Sequence, residues 1–140
     1  MTENKLMTVD VRDVVLFQKT IERVSGEIFS EGKGSRPSVV FCIRNNLRIA
    51  LPLYSSVKEG WKAPCGRLGI EPRQGNGLEK LSQIGVDNSF ILKEENFVKK
   101  IGQVDEIDFI SCLIMFEYYR KSLKDEELFE KLSIIPVYKF

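Results

Sequence analysis

The sequence predicts a mainly β domain with α: a small β-barrel followed by a C-terminal helix and a helical or extended tail. Three observations predict it. Short β-branched and aromatic runs separated by turn residues fill most of the chain, and a stretch at helical spacing begins at Asp105. The length of 140 residues, 43% of them hydrophobic, allows one core without staples. The expected division is a barrel domain with its terminal helix over 1–121 and an extension over 122–140 packed on the same domain.

In chain order, Val14, Val15, Leu16 and Phe17 read as a strand. Thr20 to Phe29 is compatible with a helix through Ile21, Val24 and Ile28, or with a hairpin arm around Gly26. Glu31 to Ser35 is a connector of turn residues, after which Arg36 and Pro37 open the buried-type strand SVVFCIR. Asn45 and Asn46 tolerate positive φ and join it to LRIALPLY, a hairpin partner in which Pro52 belongs at an edge or a bulge. Ser55 to Gly77 reads as one long loop. Leu81 to Lys93 reads as two short strands about Asp87, Asn88 and Ser89, and Asn96 to Val104 as a short apolar piece ended by Gly102. Asp105 is an N-cap for a helix to about Lys121, with Ile107, Ile110, Leu113, Ile114 and Phe116 as its core stripe. A second helix is expected over Lys124 to Leu132, and an extended tail after it.

Composition excludes some chemistry. With 0 histidines there is no His general base, no Cys/His zinc site and no His-dependent triad. Cys42 and Cys112 lie in apolar runs and read as inert, whereas Cys65 sits in a polar basic loop. No apolar stretch is long enough to span a bilayer and the amino terminus has no signal-peptide core, so a cytoplasmic protein is expected, with no membrane partner. The net charge of +1 hides an asymmetry. From Lys33 to Arg73 basic residues outnumber acidic ones eight to two, whereas from Asp105 to Glu130 acidic outnumber basic eight to three. Such a chain can offer a basic face to a polyanion.

The segment GKGSRP (32–37), the apolar strand after it, the PLYSS element (52–56) and the later Asp87, Ile101 and Gly102 stand in an informative order. In that order, over about Asp13 to Lys121, the chain resembles the PemK/MazF family of toxin endoribonucleases. The resemblance implies an SH3-like barrel, a homodimer, and metal-independent and cofactor-independent cleavage of single-stranded RNA. It also implies a cognate antitoxin that neutralises the toxin by occupying the RNA groove. Arg36 matches the family's catalytic arginine, able to stabilise phosphoryl oxygens through two parallel hydrogen bonds. Tyr54 stands at the catalytic threonine position, so Ser55 or Ser56 would supply the hydroxyl, and Asp87 would assist proton transfer. Where some members carry an arginine two residues before the aspartate, this chain has Gly85.

The expected RNA-binding residues are Lys33, Arg48, Lys58, Trp61, Lys62, Arg67 and Arg73, a basic surface with one aromatic among its cations. Each has a plainer structural alternative. Arg36 can solvate a strand end, Tyr54 can cover the barrel rim or stack on a base, Asp87 can close a turn, and Trp61 can act as a core lid. The competing functional readings are a catalytically silent barrel that binds nucleic acid or a protein through the same groove, and a small-molecule or nucleotide binder.

Overall fold

Alternating and β-branched runs become strands, and the acid-capped apolar stretch becomes a helix. The computed structural model describes residues 5–18, 20–30, 34–54 and 67–133, and in them nine strands are followed by two α-helices. The strands are β1 (Asp13–Phe17), β2 (Thr20–Arg23), β3 (Ile28–Ser30), β4 (Arg36–Arg44), β5 (Leu47–Tyr54), β6 (Arg67–Ile70), β7 (Ser82–Gly85), β8 (Phe90–Ile91) and β9 (Phe97–Gln103). The helices are α1 (Glu106–Ser122) and α2 (Glu126–Leu132). The ambiguous segment after β1 is the β2–β3 hairpin, turned at Gly26 with φ +98°. The long-loop expectation for Ser55 to Gly77 is corrected by β6, whose four residues RLGI lie between Gly66 and the turn at Gly75 and pair with β7. Among the described residues no helix is long and apolar enough to cross a membrane.

All pairings are antiparallel, in the order β3-β2-β8-β5-β4-β1-β9, with β7 and β6 branching from β5. The sheet is open. The expected closed barrel is therefore corrected: among the described residues β9 and β3 are the two ends of the ladder. The sheet nevertheless curls strongly, because Phe17 on β1 meets Phe90 on β8 at 4.5 Å between ring centroids although β4 and β5 intervene in the ladder. The chain itself crosses the gap, since β1 beside β9 leads within three residues to β2 beside β8. The seam is bridged by a side chain. Asn96, 1% exposed, donates its amide to the carbonyls of Gln18 and Thr20, each at 3.1 Å, while its oxygen accepts from the Lys93 backbone at 3.2 Å.

The two faces of the sheet bury different clusters. Val15, Phe17, Ile21, Val40, Ala50 and Phe90 fill the inside of the curl. Val39, Phe41, Leu51, Leu53 and Ile84 face α1 on the other side. A bulge at Phe41 breaks the β4–β5 register between Val40 and Cys42, so that Phe41 and Cys42 both enter the helix-side cluster. Pro52 falls where β5 changes neighbour from β8 to β7, a break in the ladder that tolerates a missing N–H.

Asp105 caps α1, accepting from the Asp108 backbone at 2.7 Å. The face of this helix differs from expectation. Leu113 and Phe116 are buried, but Ile107, Ile110 and Ile114 are 76%, 41% and 56% exposed. The helix is apolar on two sides, and the aromatic side wins. Phe109 and Phe116 stack on Phe41 at 6.0 and 5.0 Å, with Cys112 between them in the i, i+3, i+4, i+7 set. Beyond Leu123, α2 inserts Leu132 into the same cluster, so its residues share a core with the sheet. The expected tail after Ser133 lies outside the described residues.

Burial, aided by the Asp108 charge, pushes the Cys112 thiol up to about 12, and burial also raises that of Cys42 despite Arg44. Alkylation of the native protein at pH 8 should therefore leave both unmodified by mass spectrometry, with reaction only after denaturant is added. The sign for stability follows. The Cys112 contribution is intact below the ordinary thiol pKa and is lost progressively as pH rises from there towards about 12.

Candidate functional site

Arg36 opens β4 and Tyr54 ends β5, each two residues beyond the Ser38–Pro52 pair, so the register sets them opposite one another. On the other side of β5, Tyr54 pairs with Gln83 of β7. Arg67 pairs in turn with Gly85, immediately before a short 3-10 turn, Val86–Asn88. Four strand ends and a turn therefore converge at one end of the sheet.

Their side chains meet. The Arg36 and Arg67 guanidinium carbons stand 5.0 and 4.3 Å from the centroid of the Tyr54 ring, within cation–π range. Arg36 Nη1 donates to the Leu53 carbonyl at 3.4 Å. Arg67 Nε donates to Asp87 Oδ1 at 2.8 Å, with both side chains more than four-fifths buried at 15% and 19% exposure. The hydrogen-bond partners assign the Asn88 amide with its oxygen towards two donors, Arg67 Nη2 at 3.0 Å and the Tyr54 hydroxyl at 2.9 Å. In that orientation its nitrogen donates to the Asp87 carbonyl at 3.2 Å. Two cations, one carboxylate, a phenol and a carboxamide thus form one network.

Gly85 makes room for it. A Cβ at this position would lie 2.7 Å from Tyr54 Cε2, so a side chain at 85 and the tyrosine ring exclude each other. The residue directly across the ladder from Gly85 is Arg67, whose guanidinium lies on the same tyrosine ring. Gly85→Ala is expected to push the ring aside and cost about 1 to 2 kcal/mol, read as a lower urea midpoint.

The site thus gathers Arg36, Tyr54, Arg67 and Asp87 of the residues expected from sequence, and adds Asn88. Only its place in the Asp87–Ser89 turn between two short strands marked Asn88 in the sequence. Two other residues stand apart. Arg48 lies six positions back along β5, about 20 Å away at strand rise, and is 8% exposed with Nη1 on the Asn46 carbonyl at 3.3 Å. Arg73 follows the far end of β6 and donates Nε to Asp108 at 3.0 Å, with Asp105 at 3.7 Å. The hydrogen bond and charge of Asp108 raise the Arg73 pKa further. Lys33, Ser55, Ser56, Lys58, Trp61, Lys62 and Cys65 lie outside the described residues.

The sequence matches no protein-family model, and no curated protein matches it.

Proposed function

We propose that the protein is a PemK/MazF-like endoribonuclease that cuts single-stranded RNA without a metal, the toxin of a type II toxin–antitoxin pair. The observation that carries this reading is the convergence of Arg36 and Arg67 on the Tyr54 ring, with Asp87 held at 2.8 Å from Arg67. In the proposed reaction the ribose 2′-oxygen attacks the adjacent phosphorus and gives up its proton to Asp87 or to a nearby hydroxyl. The bond from phosphorus to the 5′-oxygen of the next nucleotide breaks, that oxygen takes a proton from solvent water, and a 2′,3′-cyclic phosphate remains. Negative charge grows on the two non-bridging oxygens, and Arg36 is the planar donor that meets it. Tyr54 serves as the rest on which both guanidiniums are aligned, its hydroxyl fixed by Asn88.

The β5–β7 and β6–β7 ladders that place Tyr54 and Arg67 lie away from the Asn96 seam, whereas Arg36 pairs with Phe17, the residue before the Gln18 that Asn96 holds. The finer fold within the reading is an SH3-like arrangement whose seam is bridged rather than laddered. Homodimerisation, a cytoplasmic location and an antitoxin that fills the groove belong to the same proposal.

One observation favours a second reading, a catalytically silent sheet domain that binds RNA through the same surface. Asp87 Oδ1 already accepts a hydrogen bond from Arg67 Nε at 2.8 Å, which commits that oxygen to a structural contact. Purified protein incubated with a mixed RNA pool, with and without magnesium, separates the two. Cleavage in both conditions supports the nuclease; an intact pool that shifts in a gel supports the binder. A pool neither cut nor shifted at low salt removes both.

A further inference from the structure

Behind Asp87 and Asn88 lies a cleft of about 230 Å³ that the proposed reaction does not use. Its walls have different chemistry. The β2–β3 hairpin contributes Arg23 and Glu27, and the helices contribute Tyr119, Leu128 and Leu132. Arg23 Nη1 is bonded to Glu27 at 3.0 Å, but its buried Nε has no hydrogen-bond partner among the described residues. The helical wall is pinned in place, since Lys131 Nζ donates to the Ser25 carbonyl at 3.1 Å and Leu132 is 3% exposed.

A cleft with one apolar wall, one wall of donors and acceptors, and a volume below the roughly 300 to 1,000 Å³ of ordinary ligand pockets suits a single planar ring system with a polar edge. Single-stranded RNA presents such rings, because its unstacked bases can be splayed out and read on their edges. The cleft and the arginine–tyrosine site share Asp87 and Asn88, so the two adjoin.

We infer that this cleft seats one nucleobase of the bound strand, and that the extension after residue 121 is thereby part of the substrate site. The base offers an acceptor to Arg23 Nε–H and a donor to the Glu27 carboxylate, while Tyr119 and Leu128 cover its face. This inference rests on the RNA reading for the neighbouring phosphate; the cleft chemistry stands on its own residues.

The test uses the full chain and the four nucleoside 5′-monophosphates at millimolar concentration, with NMR signals of Arg23 Nε–H and the Tyr119 ring as the readout. At least one nucleotide should move both signals. Glu27→Gln, at an exposed turn position, should weaken that response about tenfold through loss of a charged acceptor. Leu128→Trp, which fills the cleft from α2, should abolish the response; should that variant not fold, Glu27→Gln still decides. A parallel arm sequences the products of a random RNA pool, where one base is expected at a fixed place beside the cut. A protein that responds to mononucleotides but neither binds nor cuts the pool supports the base site, with a free nucleotide as its occupant, and overturns the nuclease. A protein that cuts the pool with no base preference, and whose two signals ignore all four nucleotides, overturns this inference and leaves the nuclease standing.

Discussion

Arg36→Ala is expected to lower RNA cleavage by about 10²–10³-fold, the loss that follows when a pre-positioned donor to a developing oxyanion is removed. The fold should survive, because Arg36 belongs to neither apolar cluster and stands at the first position of β4. Arg36→Lys keeps the charge but not the planar fork, so it should recover only a small part of the rate. Three measurements check this together: single-turnover cleavage, relief of growth arrest on expression, and an unchanged urea midpoint. A fall in cleavage that merely tracks a fall in midpoint would assign Arg36 to the scaffold.

Asn96→Ala should destabilise the protein by about 2 to 4 kcal/mol, a large cost for removing one carboxamide. Three backbone groups lose their partner at once: the carbonyls of Gln18 and Thr20 and the N–H of Lys93. The backbone bond from Gln18 N to the Asn96 carbonyl at 2.9 Å remains, so the corner should loosen rather than melt completely. Asn96→Asp should also be costly, since a carboxylate cannot donate to either carbonyl. Urea denaturation gives the size of the effect. Hydrogen exchange should place it at the junction of β1 and β2, because that is where the sheet has no ladder to hold its two sides together.

Most of the fold was legible because its signals are local. The Asn45–Asn46 hairpin, the strand at Val14 to Phe17 and the Asp105 cap each depend on residues a few positions apart. Closure was not legible, since whether β9 meets β3 depends on the accumulated curl of the whole sheet and on one buried amide. Strand β6 was hidden by the glycines and prolines around it, and only its pairing with β7 makes RLGI a strand. The rotation of α1 misled for a related reason. Isoleucines and phenylalanines both repeat at helical spacing, and the choice was made by Phe41 on a strand far back in the sequence.

The site was half legible. Arg36, Tyr54 and Asp87 follow from motif order, but the sequence left Arg67 as one cation among several in a loop. Its role as the partner of Asp87 comes from the β6–β7 register, which sets it across from Gly85. Tyr54 and Gly85, two unrelated positions in the sequence, are one packing arrangement in the structure: the ring needs the space that a side chain at 85 would fill.

The most direct test of the arginine–tyrosine site is the chemistry of the ends it leaves on a single-stranded RNA incubated with the purified protein in EDTA. The fragments should end in a 2′,3′-cyclic phosphate and a 5′-hydroxyl, and a single 2′-deoxy substitution at the cut should block cleavage but not binding. RNA that stays whole, or fragments ending in a 5′-phosphate, would contradict the nuclease reading.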